Sequence, residues 1–167
     1  DEQAVIAHCD EADITLKYED GIQVVYLNGE NVNAYIRTEE VGAATSRISG
    51  LPPVRKRITA LQKELAAKED CIMDGRDIGT CVLPDADVKI YLTASSAVRA
   101  KRRYDELTAK GQTCDLARIQ ADMEERDYRD MHRETSPLRQ AEDAVLVDSS
   151  DMIPGQVIER ILELCRR

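Results

Sequence analysis

The chain has no phenylalanine and no tryptophan, and six tyrosines are its whole aromatic content. Platforms for base stacking are therefore scarce, and the core has to be built from Ile, Leu, Val, Ala and Met. Histidine is nearly as rare. His8 and His132 alone leave little material for a His-based metal site or a Ser-His-Asp arrangement, and both read as surface or helix-face residues. The five cysteines, at 9, 71, 81, 114 and 165, are odd in number and form no close pair. Neither a disulfide framework nor a zinc site is suggested, and the expected setting is a reducing cytoplasm. No apolar run approaches the roughly 18 residues of a membrane span. Asp1-Glu2 does not open a signal peptide, which would be basic and then apolar. A broad basic surface is also lacking: 23 Lys and Arg stand against 32 Asp and Glu, for a net charge of -9. That balance argues against a nucleic-acid backbone or an anionic membrane as partner, while a local arginine cluster can still bind a small phosphate.

What is present suits one domain of 167 residues with a small insertion, 43% hydrophobic and 33% charged. The chain is organised around Cys-Ile-Met-Asp-Gly-Arg-Asp-Ile-Gly-Thr at 71–80. Cys71, Ile72 and Met73 predict a short strand buried on both faces of a parallel sheet, ending where the charges begin. Ligands of open α/β sheets collect outside the carboxyl ends of strands, so Asp74, Arg76 and Asp77 are expected to point into a site. Gly75 and Gly79 would let the backbone turn there and leave room for a ligand.

Ahead of this stretch, 2–12 has a helical spacing, and alternation from Ile14 to Leu27 about Glu19-Asp20-Gly21 predicts a β-hairpin. Asn28-Gly29-Glu30-Asn31 turns the chain, and 32–36 reads as a third short strand or a tight connection. Thr38 is a good N-cap for a helix to about Ser49. Gly50-Leu51-Pro52-Pro53 breaks it, and the next helix carries Val54, Ile58, Leu61 and Leu65 on one face. Arg55, Lys56 and Arg57 fall in its first turn, against the helix dipole, so either one is kept for an anion or the turn is simply solvated.

Beyond it, 88–92 predicts a second strand, Thr93-Ala94-Ser95-Ser96 the caps of a helix to Ala109, and 115–134 a highly charged helix. A third buried strand follows at 144–147. A last helix from Pro154 carries Val157, Ile158, Ile161, Leu162 and Leu164 as its buried stripe, with Arg166 and Arg167 at its end. Strands alternating with helices predict an α/β fold with a parallel sheet, preceded by an antiparallel hairpin unit.

In the charged helix Arg126, Arg129, Asp130 and Arg133 recur at steps of three and four and share a face. Planar guanidiniums so grouped make a good phosphate clamp, although Asp122, Glu125 and Asp130 also allow an ordinary salt-bridged surface. Asp-Gly-Arg-Asp-Ile-Gly-Thr at 74–80, Pro-Asp-Ala-Asp-Val-Lys-Ile-Tyr-Leu at 84–92, Glu-Arg-Asp-Tyr-Arg-Asp at 125–130, Arg133 and Ser136-Pro137-Leu138 together resemble the bacterial cytidylate kinases. The resemblance runs from the first residues to the last. It implies a P-loop nucleoside-monophosphate-kinase-like fold, with a core at 1–13 and 50–167, a lid at about 112–136 and an acceptor-binding insert at 14–49. It further implies transfer of the γ-phosphoryl of ATP to CMP or dCMP with magnesium.

By the same resemblance Ser46, Arg55, Arg76, Asp77, Arg126, Asp130 and Arg133 bind the acceptor. Asp77, Arg55 and Arg133 would read the cytosine edge, and Ser46, Arg126 and Asp130 the ribose. Arg76 would grip the monophosphate, and Asp74 would hold the hydration shell of magnesium. Arg76, Arg126, Arg129 and Arg133 would act on the transferring phosphates under a closing lid. An acidic acceptor for the exocyclic amine of cytosine disfavours the carbonyl of uracil. One departure stands out. The family begins with a strand and a Gly-x-x-x-x-Gly-Lys-[Ser/Thr] loop, and this chain, with no Gly-Lys dipeptide, starts about fifty residues into that pattern. Two expectations follow: near-inactivity of the chain alone, and self-association through exposed sheet edges. The alternative of another class is a nucleotide-binding or interaction module of the same descent, without catalysis. A P-loop kinase acting on another small acceptor suits the cytosine-type residues less well.

Overall fold

A computed structural model describes residues 1–166, apart from the side chains of Glu39 and Ser46. The chain forms two compact units, Asp1–Asp70 and the remainder from Cys71.

The first unit opens with helix α1, Glu2–His8, whose N-cap Asp1 accepts from the Gln3 amide at 3.0 Å. A 3-10 turn, Cys9–Glu11, leads into strands β1, Ile14–Glu19, and β2, Ile22–Leu27. They pair antiparallel with Leu16 opposite Val25. Asp20-Gly21 joins them with φ of 51° and 78°, the left-handed pair that a two-residue hairpin turn requires. Asn28-Gly29 repeats the device at 51° and 82°, bringing the two-residue strand β3, Glu30–Asn31, back against β2. The ladder stops there. The Asn33 side chain, rather than a further strand, accepts from the Val25 amide and donates to the Gln23 carbonyl, each at 2.9 Å. The amides of Tyr35 and Ile36 then both fold back on the Val32 carbonyl. Of the two alternatives for 32–36, the tight connection is the one formed.

Helix α2, Glu39–Ile48, starts at Thr38, whose hydroxyl accepts from the Val41 amide at 3.3 Å. Helix α3, Pro52–Ala66, starts on its prolines. Val24 and Val54 are the buried residues of this small core. In the first turns of α3, Arg55 reaches the Ser49 carbonyl at 3.2 Å and Arg57 the Ala12 carbonyl at 3.5 Å. Those two cations thus tie backbone ends together within the unit.

In the second unit strands β4, Ile90–Thr93, and β5, Val145–Asp148, pair in parallel, Ile90 opposite Val145 and Thr93 opposite Asp148. Helix α4, Ser96–Ala109, is capped by Ser95, and α5, Leu116–His132, by Asp115, whose carboxylate accepts from the Arg118 amide at 3.0 Å. Helix α6, Pro154–Cys165, closes the described chain, and Arg167 lies outside the described residues. Val82, Ala94, Ala100, Leu107, Val147 and Leu164 form the core.

Three expectations are corrected here. Residues 71–74 form no strand, and Ile72 is fully exposed. A strand exists through its ladder partner, and among the described residues β4 and β5 pair only with each other. Strand β5 buries Val147 alone, leaving Leu146 open, and the stripe of α6 buries only Leu164 while Ile158 and Leu162 stay exposed. Two strands offer too little sheet to cover those side chains. Among the described residues no helix is long and apolar enough to cross a membrane.

Candidate functional site

The base of the site is a π turn, Ile78–Val82, entered at Asp77. The Val82 amide reaches the Asp77 carbonyl at 3.3 Å, and the Leu83 amide the Ile78 carbonyl at 2.7 Å. These five-residue steps widen the helix, a distortion frequent at functional sites. Val82, 1% exposed, anchors the turn in the core, and Asp77 at its mouth is itself buried.

Gly79 sits at a close approach of the chain to itself. A Cβ there would stand 3.2 Å from Lys89 Cδ and 3.7 Å from Ala141 Cβ. The Lys89 ammonium is in turn fixed by the Pro84 carbonyl and by Asp143, 2.5 Å away, whose carboxyl that contact holds below its ordinary range. A Cβ on Gly75 would come within 2.9 Å of Ile78 Cγ1, and neither glycine has a positive φ. The room expected at these glycines is thus filled by the chain's own side chains.

Helix α5 brings the other half. Arg76 Nε is ion-paired with Asp130 Oδ2. Arg126 Nε lies 4.0 Å from the same oxygen, and Arg133 Nη1 lies 3.5 Å from Asp130 Oδ1. Arg133 Nη2 is 3.9 Å from Asp77 Oδ1, which links helix to π turn. Arg133 ends α5 in an extended conformation and donates from Nε to the Ser136 carbonyl at 2.7 Å, while the Leu138 amide donates to the Asp130 carbonyl at 2.8 Å. The 136–138 segment so holds both charged residues from behind.

Arg76, Asp77, Arg126, Asp130 and Arg133 are therefore one cluster, in which three guanidiniums meet two carboxylates. The surplus positive charge, in partly buried surroundings, suits an anion carrying oxygens for planar forks. Arg129 stands apart, half-exposed, with Glu125 at 3.9 Å. Asp74 is exposed. Arg55 belongs to the first unit, and the Ser46 side chain lies outside the described residues. Among the described residues no group of three or more His, Cys, Asp or Glu could hold a metal ion.

Two contacts at the α4–α5 seam escaped the sequence reading. Arg99 Nη2 meets Asp127 Oδ2 at 2.6 Å while its Nε donates to the Ala94 carbonyl at 3.0 Å. The Ser96 hydroxyl donates to Glu124 at 2.6 Å, and Gln120 does so at 2.9 Å. Those bonds, Ser96 foremost, hold the Glu124 carboxyl below its usual range. The only sequence signal was the three-residue step from Glu124 to Asp127, which by itself names no partner.

Comparison with known proteins bears on the whole chain. The model of the family described as cytidylate kinase matches residues 1–167. The chain belongs to the cytidylate kinase family. The cytidylate kinase of Lactobacillus johnsonii is 47% identical over 167 residues, covering 100% of this chain and 73% of the relative. That of Caldicellulosiruptor bescii is 44% identical over 164 residues, covering 98% and 73%. That of Syntrophotalea carbinolica is also 44% identical over 164 residues, covering 98% and 70%. Because the family match takes in both compact units, the cytidylate kinase relationship extends to the hairpin unit as well as to the arginine cluster. It also carries the P-loop nucleoside-monophosphate-kinase fold, here with a parallel and an antiparallel sheet.

Proposed function

We propose that the chain provides the acceptor and lid parts of a (d)CMP kinase, the enzyme that moves the γ-phosphoryl of ATP to CMP or dCMP and yields ADP with CDP or dCDP. The observation that carries this reading is the cluster of Arg76, Arg126 and Arg133 around Asp77 and Asp130. Asp77, with Arg133 beside it, suits the amino edge of cytosine, since a carboxylate only accepts hydrogen bonds. Asp130 and Arg126 suit the ribose, and Arg76 the monophosphate. Ser46 and Arg55 are assigned to acceptor binding by resemblance to the family alone. Arg76, Arg126, Arg129 and Arg133 would neutralise charge on the transferring phosphates, with 112–136 as lid, 14–49 as acceptor insert, 1–13 and 50–167 as core, and the cytoplasm as setting.

Magnesium bound with ATP would screen phosphate charge. Such an ion keeps several waters and needs only one or two carboxylates, a role that fits exposed Asp74. Phosphoryl transfer depends on positioning and charge neutralisation, and the Gly-Lys phosphate loop is absent from this sequence. The chain alone is therefore expected to bind CMP and to turn it over at a trace level. Intact mass, calorimetric titration with CMP, and a coupled assay with ATP, magnesium and CMP test this. CMP binding without turnover, with activity restored in a chain bearing the phosphate loop, is the expected result. Robust turnover at the mass of this chain would refute the need for the loop, and no CMP binding would refute the acceptor site. Binding with no activity even when the loop is supplied would favour a non-catalytic nucleotide-binding module.

A further inference from the structure

We propose that Arg99 and Asp127 are positioning residues for the arginine–aspartate cluster, a role that rests on reading that cluster as the CMP site. Helix α5 has no fully buried residue, and its apolar Ile119 and Met123 are only partly buried, so apolar packing alone holds its rotation and height weakly. Polar ties add to it in mid-helix. Asp127 meets Arg99 at 2.6 Å, and Arg99 is itself tied to the carbonyl of buried Ala94, just beyond the end of β4. One turn earlier Glu124 receives the Ser96 hydroxyl at 2.6 Å. Both ties stand on the first turn of α4, so α5 is referenced to the segment that leaves the carboxyl end of β4.

Asp127 lies between Arg126 and Asp130 in the sequence and faces the seam while they face the cluster. The contact is well formed for a charge-assisted bond, and both side chains are mostly shielded, at 35% and 20% exposure. If this anchor is lost, α5 keeps its N-cap, the Ser96–Glu124 bond and the 136–138 brace, yet its middle loses its ion pair to α4 and is held less firmly against rolling. Asp130 and Arg133 would then no longer meet Arg76 and Asp77 at fixed distances. Neither Arg99 nor Asp127 has to touch the nucleotide for this to matter, since small misplacements of a binding group are costly.

The test compares the chain with its Asp127→Ala and Asp127→Glu variants by CMP titration and by amide hydrogen exchange without nucleotide. Asp127→Ala is expected to weaken CMP binding about tenfold and to speed exchange across 126–133 to a similar degree, with exchange across 100–109 unchanged. Asp127→Glu, which can still reach Arg99, should recover most of both effects. Should Asp127→Ala unfold the chain globally, the isosteric Asp127→Asn is read by the same criteria. Unchanged CMP affinity with unchanged exchange in α5 overturns the proposal, as does faster exchange with no loss of CMP affinity. If the parent chain binds no CMP, the acceptor-site reading fails instead, and local exchange in α5 alone decides whether Asp127 positions the helix.

Discussion

Asp77 is the residue to which the proposed function gives recognition of the base. It is 7% exposed, sits at the mouth of a π turn, and has an arginine within 3.9 Å. A buried carboxylate of this kind accepts hydrogen bonds and cannot donate, so it favours an amino edge over a carbonyl edge. Asp77→Asn keeps the shape and adds a donor. It is expected to weaken CMP binding by about tenfold or more and to narrow the preference for CMP over UMP by a comparable factor. Paired titrations with CMP and UMP measure both numbers. An unchanged CMP-to-UMP ratio would remove Asp77 from base recognition. At this scale the sequence was informative because the chemistry was local: Asp77 follows Arg76 directly, and Arg126, Asp130 and Arg133 are spaced to share a helical face. The pairs within the helix, Arg126 with Asp130 and Arg129 with Glu125, were legible too, and what the sequence withheld was the partners on other elements. Arg99 and Asp127 are 28 residues apart, and no spacing rule joins them.

Elements were legible where a local rule decides them. Glu19-Asp20-Gly21 announced a hairpin turn and Asn28-Gly29-Glu30-Asn31 a second turn, which the structure tightens to Asp20-Gly21 and Asn28-Gly29, and the helix starts expected at Thr38, within 93–96 and at Asp115 are in place at Thr38, Ser95 and Asp115. The turns carry a testable cost. Gly29 has φ 82° with nothing within 4 Å of an added Cβ, so Gly29→Ala meets backbone strain and no steric clash. It is expected to destabilise the hairpin by about 1 kcal/mol, seen as a lower midpoint in urea unfolding. Gly42, equally open and without a positive φ, serves as the control and should not lose stability on change to Ala within its helix. Equal effects at both positions would mean that the left-handed conformation is not what Gly29 provides. The failures at this scale share another cause. Cys71, Ile72 and Met73 have the composition of a buried strand, and Ile158 and Leu162 the spacing of a buried stripe. Burial depends on a partner surface that no local pattern can guarantee, and in this chain that surface is not supplied.

For the whole molecule, the consequence is apolar area left open on the second unit. Ile72, Leu92, Leu146, Ile153, Ile158 and Leu162 are all open, several of them more than half exposed. Among the described residues this sheet has two strands, so both β4 and β5 present an unpaired edge. At about 25 cal/mol per Å² of apolar surface removed from water, covering even part of such side chains favours association by several kcal/mol before the entropic cost of pairing. The net charge of -9 opposes close approach of two copies, though salt screens it within about 10 Å at 0.1 M. We therefore predict a second copy as the occupant of this surface, with a weight-average mass that rises with protein concentration and rises further with salt. Leu146→Lys together with Ile158→Lys should shift the chain toward monomer without loss of helical circular dichroism, because neither side chain is buried. Light scattering across a concentration series measures this. A monomer that stays monodisperse at all concentrations and unfolds in one cooperative step would show instead that the open edges and the uncovered apolar residues do not drive association in this chain.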